Sequence, residues 1–377
     1  PQRAALRPGR QRFGHHLRRR NHHDFAFRRL DHNRERLWFL IFRMSLTSQP
    51  TPAQLAWREL EFGMFVHFGP NTFAGVGWGD GNFPATQFCP AKLDCRQWAQ
   101  IAAEAGMKYA VLTAKHHDGF CLWPSKLTPY SVAHSPQKLD VVAEFVAACR
   151  EFGLQPGLYY SLWDRNFPDY ENDAIYAEFM RGQIAELLQN YGPIVQLWFD
   201  GGWDKEYPNR KWPYEARYES EVAPDVLRGA RWEWRRLYEW IHELQPACLV
   251  ANNSSSNRPG TPRYLPVDFR TAEHFDFVFR EELCPLETRE IWRDENGDAR
   301  FLPLEFCATL TPSWFHTGRE SFGHPSAQTI AGWRQTAREN GANLLLNIGP
   351  NRDGLLPAYH REFLLQARDD LRVWSLD

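Results

Sequence analysis

The chain is predicted to fold as an α/β protein, a (β/α)8 TIM-like barrel, and three observations carry that prediction. Short apolar runs alternate with longer stretches of helical periodicity along the 377 residues. Two of the runs stop abruptly on polar groups. Ile194 to Phe199 ends in Asp200-Gly201-Gly202, and Tyr109 to Lys115 runs into His116-His117-Asp118. A buried strand that stops on an acid delivers it into a cleft, and in a parallel barrel that cleft lies at the strands' carboxyl ends.

The elements follow in order. Gly63 to Gly69 is the first strand, short, apolar and followed by Pro70. Leu93 to Gly106 reads as a helix, with Asp94 as N-cap and Gly106 as its stop. Tyr109 to Lys115 is the second strand, Leu139 to Phe152 an amphipathic helix ended by Gly153, and Gln155 to Ser161 the third strand. Asp173 to Tyr191 is a long helix closed by Gly192-Pro193. Ile194 to Phe199 is the fourth strand, Trp232 to Leu244 a helix stopped before Pro246, and Cys248 to Asn252 the fifth strand. Asp268 to Glu273 is a weaker sixth strand and Leu304 to Thr309 the seventh. Ser326 to Asn340 is helical, Ala342 to Ile348 is the eighth strand, and a last helix covers Pro357 to Trp374. No clear helix separates the strands within 253–303. Residues 203–230 form a polar insertion that should overhang the barrel mouth.

Residues 1–43 differ from the rest, with 12 Arg, no Lys and only Asp24, Asp31 and Glu35 as acids. Removing them from 44 basic and 46 acidic residues leaves 32 basic and 43 acidic, a net charge of −11 for 44–377. The arm is read as upstream translation, with the natural start at Met44 and the catalytic domain at 44–377. An Arg-rich targeting arm and a nucleic-acid-binding tail are the alternatives. The acidic remainder speaks against nucleic acid as the main partner. Leu37 to Phe42 is too short to span a membrane. With no apolar core of signal-peptide length in the arm, a cytoplasmic location is expected. The seven Cys contain no CxxC pair, and their odd number suits a reducing compartment. The 16 Trp, 13 Tyr and 26 Phe allow sugar stacking, although aromatics also simply fill cores.

The barrel pattern gathers His67, His116, His117, Asp118, Tyr159, Tyr160, Trp163, Asp164, Trp198, Asp200, Asn252, Asn253, Glu273, His274 and Glu305 at strand ends. Two carboxylates from different strands suggest glycoside cleavage, one attacking the anomeric carbon and the other protonating the leaving oxygen. Bland readings stand beside this one. Asp200 before two glycines also suits a turn, and the His pair also suits a strand cap. Glu305, inside an apolar strand, also suits a structural anchor. Three His at one mouth also suit a metal, but neighbours on a strand face opposite ways unless it ends or bulges. No metal and no cofactor are expected.

At these residues the chain resembles the α-L-fucosidases of glycoside hydrolase family 29. The resemblance runs over roughly 55–375 and rests on long motifs. They include His67-Phe-Gly-Pro-Asn-Thr-Phe, Trp78-Gly-Asp-Gly, Lys115-His-His-Asp-Gly-Phe-Cys-Leu-Trp-Pro-Ser-Lys126, Trp198-Phe-Asp-Gly and Leu344-Leu-Leu-Asn-Ile-Gly-Pro-Asn-Arg-Asp-Gly-Leu-Leu-Pro357. It implies retaining hydrolysis of terminal α-L-fucose, with Asp200 as nucleophile. Glu273 is the implied acid/base, with Glu281, Glu282 and Glu287 as rivals. His67, His116, His117 and one of Tyr159 or Tyr160 match fucose-contacting positions, and Trp78 and Trp198 match aromatic lining. The front half resembles the branch that favours α-1,3/1,4-linked fucose, but Gly77 stands where that branch commonly has an acid. Against that resemblance, the family's usual C-terminal β-sandwich is expected to be missing. The expected partner is a fucosylated oligosaccharide, with self-association also entertained. The alternatives are a fucose-like sugar such as α-L-galactose, or a sugar-binding barrel without catalysis.

Overall fold

The structure is a computed structural model that describes residues 49–203, 205, 229–253, 259–273, 286–293, 297–318 and 325–374. The chain divides into two compact units, Pro1–Ser45 and Leu46–Asp377. The Arg-rich arm, most of the insertion, His274, Glu281 and Glu282 lie outside the described residues. All that follows concerns the second unit.

Eight parallel strands form the barrel: β1 (Phe62–Val66), β2 (Tyr109–Lys115), β3 (Gln155–Ser161), β4 (Gln196–Asp200), β5 (Leu249–Asn252), β6 (Arg270–Glu273), β9 (Leu304–Thr309) and β10 (Asn343–Asn347). Their order is β5-β4-β3-β2-β1-β10-β9-β6, so neighbours in sequence are neighbours in space. Helices cover the outside: α3 (Cys95–Glu104), α4 (Val141–Glu151), α5 (Asp173–Asn190), α6 (Trp234–Leu244), α7 (Ala327–Glu339) and α8 (Ala358–Trp374). Asp94, Asp140 and Ser326 cap α3, α4 and α7 by accepting from the N–H three residues on. The second, third and seventh predicted strands have the predicted bounds. Three features were not predicted. α1 (Pro52–Arg58) precedes the first strand, α2 (Pro70–Ala74) follows it, and an antiparallel hairpin, β7 (Ile291–Arg293) with β8 (Ala299–Phe301), occupies part of 253–303.

Alternation sorts each strand into an inward and an outward set. Phe65, Tyr109, Val111, Tyr159, Trp198, Leu249, Ala251, Cys307 and Leu345 point into one buried cluster. Trp57 of α1 joins that cluster and donates from its indole to Gln196 Oε1 at 2.5 Å. Gly63 is required because Tyr109 crosses it: a Cβ there would lie 2.5 Å from the Tyr109 ring.

The seam falls between β5 and β6, the two ends of the sheet order. One side chain stitches much of it. Asp268 N–H donates to the Val250 carbonyl at 2.7 Å, and Val250 N–H donates to Asp268 Oδ2 at 2.8 Å. Tyr238 OH donates to Oδ1 at 2.8 Å, and His242 Nε2 lies 3.0 Å from Oδ2. Burial opposes charge on His242, but the Asp268 carboxylate outweighs it and raises the imidazole above its ordinary value. Replacing Asp268 with Ala leaves the Val250 N–H and the Tyr238 hydroxyl buried without this acceptor. The expected cost is about 3 kcal/mol. Thermal unfolding of the variant checks this, and an unchanged melting temperature would remove the clasp from the account.

Candidate active site

Asp200 is the last residue of β4, and its carboxylate is almost fully buried. Three neutral donors meet it. Tyr159 OH donates to Oδ2 at 2.9 Å, Asn253 Nδ2 donates to Oδ1 at 3.2 Å, and the Gly201 N–H adds a third bond. Gly201 supplies its share through a left-handed turn (φ +74°), where a Cβ would also meet Trp163 Cβ at 2.9 Å. Glu273 ends β6 and accepts from the same Asn253 amide at Oε2. The structure therefore brings the two predicted carboxylates together through one side chain. Burial, and then the Glu273 charge, push the Asp200 carboxyl up to about 7, against the pull of its three donors.

The His pair reaches one mouth because β2 bulges. Its pairing with β3 slips between Thr113 and Lys115, so Thr113 faces Tyr159 and Lys115 faces Tyr160. Their rings then sit 4.1 Å apart, centroid to centroid. His67 lies 5.7 Å from His116, and His117 Nε2 lies 3.7 Å from Asp200 Oδ2.

Hydrogen-bond partners fix the tautomers. Ser161 Oγ donates its single proton to the Trp163 carbonyl at 2.7 Å, so its 2.7 Å contact with His117 Nδ1 is a donation from the ring. Asn347 donates its amide nitrogen to the Trp314 carbonyl at 2.8 Å, and its oxygen accepts from His67 Nδ1 at 2.7 Å. Asn71 Nδ2 donates both to the Gly77 carbonyl and to His116 Nδ1, at 3.3 and 3.4 Å. His67 and His117 therefore carry a lone pair on Nε2, whereas His116 carries a hydrogen there. All three rings are buried and neutral. Burial takes His67 and His117 down to about 3, and burial with the two neighbouring rings takes His116 well below its ordinary value.

Indoles line one side. Trp78 meets His117 edge-on at 5.2 Å and stacks on Trp203 at 6.1 Å. Trp314 and Phe315, just after β9, pack on His67 at 5.2 Å each. Neither Trp203 nor Trp314 nor Phe315 was a predicted site residue, and an aromatic just past a strand end was the available signal for each.

Three expectations need correction or refinement. Tyr160 faces away from the mouth: its hydroxyl donates to Gln183 Oε1 at 2.6 Å and accepts from Lys115 Nζ at 2.9 Å, between barrel and α5. Strand alternation puts Tyr159 inside, so Tyr160 must be outside. Glu305 faces inward but near the start of its strand. It accepts from Tyr109 OH at 2.7 Å, Trp198 Nε1 at 3.1 Å and Gln196 Nε2 at 3.3 Å, two of them first residues of their strands. It is an anchor at the closed end of the barrel, and burial pushes its carboxyl up to about 7. Trp198 lies below the mouth, flat against Tyr159 at 5.5 Å. The rival Glu287 accepts from the Arg289 N–H in the outer loop at 2.9 Å. Among the described residues, no group of three or more His, Cys, Asp or Glu is placed to hold a metal, and no helix is long and apolar enough to cross a membrane.

A parallel barrel whose carboxyl-end mouth holds a linked carboxyl pair among neutral imidazoles and indoles has the design of a barrel glycosidase. Residues 81–373 match the family model described as Alpha-L-fucosidase, and the chain belongs to that family. It is 32% identical over 314 residues to alpha-L-fucosidase 1 of Arabidopsis thaliana, which covers 81% of this chain and 57% of that relative. The chain thus spans a little over half the length of its plant relatives. The alpha-L-fucosidase isoenzyme 1 structure from Paenibacillus thiaminolyticus superposes with a TM-score of 0.65 at 28% identity, covering 85% of this chain and 75% of that one. The structure of alpha-L-fucosidase AlfC from Lactobacillus casei in complex with α-L-fucose product gives 0.62 at 25% identity, covering 85% and 99%.

The neutral rings give a direct expectation. Imidazole NMR should show no protonation of His67 or His117 as pH falls from about 8 to about 5, whereas unfolded rings titrate near 6.5. Because the unfolded state binds those protons and the native state does not, stability should fall as pH drops below about 6.5. Titration of either ring near 6.5 in the folded protein would contradict the assigned burial.

Proposed function

We propose that this protein is a retaining α-L-fucosidase that removes terminal α-L-fucose from an oligosaccharide. The observation that carries the reading is the Asp200–Glu273 pair joined through one amide. Two hydrogen bonds through a single nitrogen fit the roughly 5–5.5 Å spacing of retaining carboxyl pairs better than the roughly 6.5–9.5 Å of inverting ones. Family membership supplies the sugar.

In the first step Asp200 attacks the anomeric carbon and forms a β-fucosyl ester, while Glu273 gives its proton to the departing glycosidic oxygen. In the second, Glu273 takes a proton from water, the water oxygen attacks the same carbon, and Asp200 leaves as a carboxylate. Two inversions return α-L-fucose. The Nε2 lone pairs of His67 and His117 would accept from sugar hydroxyls, and the Nε2–H of His116 would donate to one. Trp78 and Trp203 offer apolar faces at the rim. The front-half motifs favour an α-1,3- or α-1,4-linked substrate, and the linkage remains part of the proposal.

Hydrolysis of para-nitrophenyl α-L-fucoside by the protein and its Asp200→Ala variant tests this reading. The variant should lose about three orders of magnitude or more in kcat/KM with the fold intact. Added azide should rescue it and yield the β-fucosyl azide. Equal activity in both proteins, or an α-fucosyl azide, would refute the assignment. If para-nitrophenyl α-L-fucoside and a panel of α-1,3- and α-1,4-fucosylated oligosaccharides all stay intact, the function itself is wrong.

A further inference from the structure

We propose that Asn253 is a positioning residue: its side-chain amide bridges Asp200 and Glu273 and helps hold the pair's negative charge on Asp200. The inference rests on the retaining reading above. Asn253 follows β5 directly and is 1% exposed, so no bulk water replaces its bonds. Its orientation is set on two sides. The Asn253 backbone N–H donates to the Phe199 carbonyl at 2.8 Å, tying the residue to β4 beside the nucleophile. Thr271 Oγ1 donates to Asn253 Oδ1 at 3.1 Å, which turns the amide nitrogen toward the carboxylates.

The nitrogen has two hydrogens and two carboxyl partners, Asp200 Oδ1 and Glu273 Oε2. On Asp200 the amide joins Tyr159 OH and the Gly201 N–H, so both oxygens of that carboxylate are held by donors. Donors stabilise the charged form. The three donors therefore favour negative charge on the attacking group. Burial and the neighbouring Glu273 charge work the other way and push the Asp200 carboxyl up to about 7, so the charged form depends on its three donors.

The location matters as much as the bond. Asp200, Asn253 and Glu273 close three consecutive strands, and β5 and β6 are the two strands that the sheet order leaves as ends. At the mouth, the Asn253 side chain bonds across that gap to Thr271 and Glu273. It acts on geometry and charge together.

The test is the pH dependence of kcat/KM on para-nitrophenyl α-L-fucoside for the protein, Asn253→Ala and Thr271→Val. The native profile should be a bell, because Asp200 must be ionised and Glu273 must hold a proton when the leaving group departs. Asn253→Ala removes a donor to both carboxylates. Both limbs should move to higher pH by about one unit, with the plateau about 100-fold lower. Thr271→Val keeps the amide but frees it to turn, and should shift the limbs the same way by less. If Asn253→Ala does not fold, the Thr271→Val shift decides.

A lower plateau with unmoved limbs in both variants would make Asn253 a structural residue only and overturn the proposal. Infrared pH titration of the buried protonated-carboxyl band, compared among the same proteins and Asp200→Asn, needs no turnover. If no fucoside is cleaved, the proposed function fails, and this titration still decides whether Asn253 controls the pair. An unmoved band in both variants would overturn the inference.

Discussion

Burying a carboxylate costs several kcal/mol unless donors replace the water it loses. At Asp200 three neutral donors do so, and they come from three places: Tyr159 on β3, Gly201 just past β4 and Asn253 just past β5. That requirement ties the site to the barrel. Tyr159 can reach only because it points inward, stacked between His116 at 5.5 Å and Trp198 at 5.5 Å. Trp198 in turn is held by Glu305 at 3.1 Å, and Glu305 by Tyr109, against which Gly63 leaves space. A chain of contacts thus runs from the closed end of the barrel to the reacting carboxylate.

The imidazoles obey a related constraint. A buried ring stays neutral, and a neutral ring offers one donor and one acceptor. The inner partners, Asn347, Asn71 and Ser161, decide which nitrogen is which. The outcome is a mixed set of acceptors and donor rather than a cluster of cations. That suits hydroxyl groups, and among the described residues it leaves Asp200 beside neutral rings rather than imidazolium cations.

Much of this was legible in the sequence because periodicity and strand-stopping residues are local. The apolar run before Asp200, the glycines after it, and the cap Asp94 all produced the elements they signal. Strand alternation also contained the answer to Tyr159 against Tyr160, since Gly157, Tyr159 and Ser161 share a face. What escaped depends on register between strands. Glu305 faces inward as a site residue would, but its depth follows from its pairing with Thr271 and Asn343, which no single strand reveals. The bulge that turns both His116 and His117 to the mouth is a property of β2 and β3 together. Asn253 was one polar strand end among many, and its importance appears only once the β5–β6 seam is seen. Part of 253–303 forms a hairpin, which carries no helical periodicity.

The proposed mechanism requires a covalent bond between Asp200 and the sugar. Incubation with 2-deoxy-2-fluoro-α-L-fucosyl fluoride, whose fluorine slows breakdown of the intermediate, followed by peptide mass mapping, reads that bond directly. One fluorofucosyl adduct per chain is expected, on Asp200, formed as activity is lost. An adduct on Glu273 or another residue, or inactivation with no adduct at all, would contradict it.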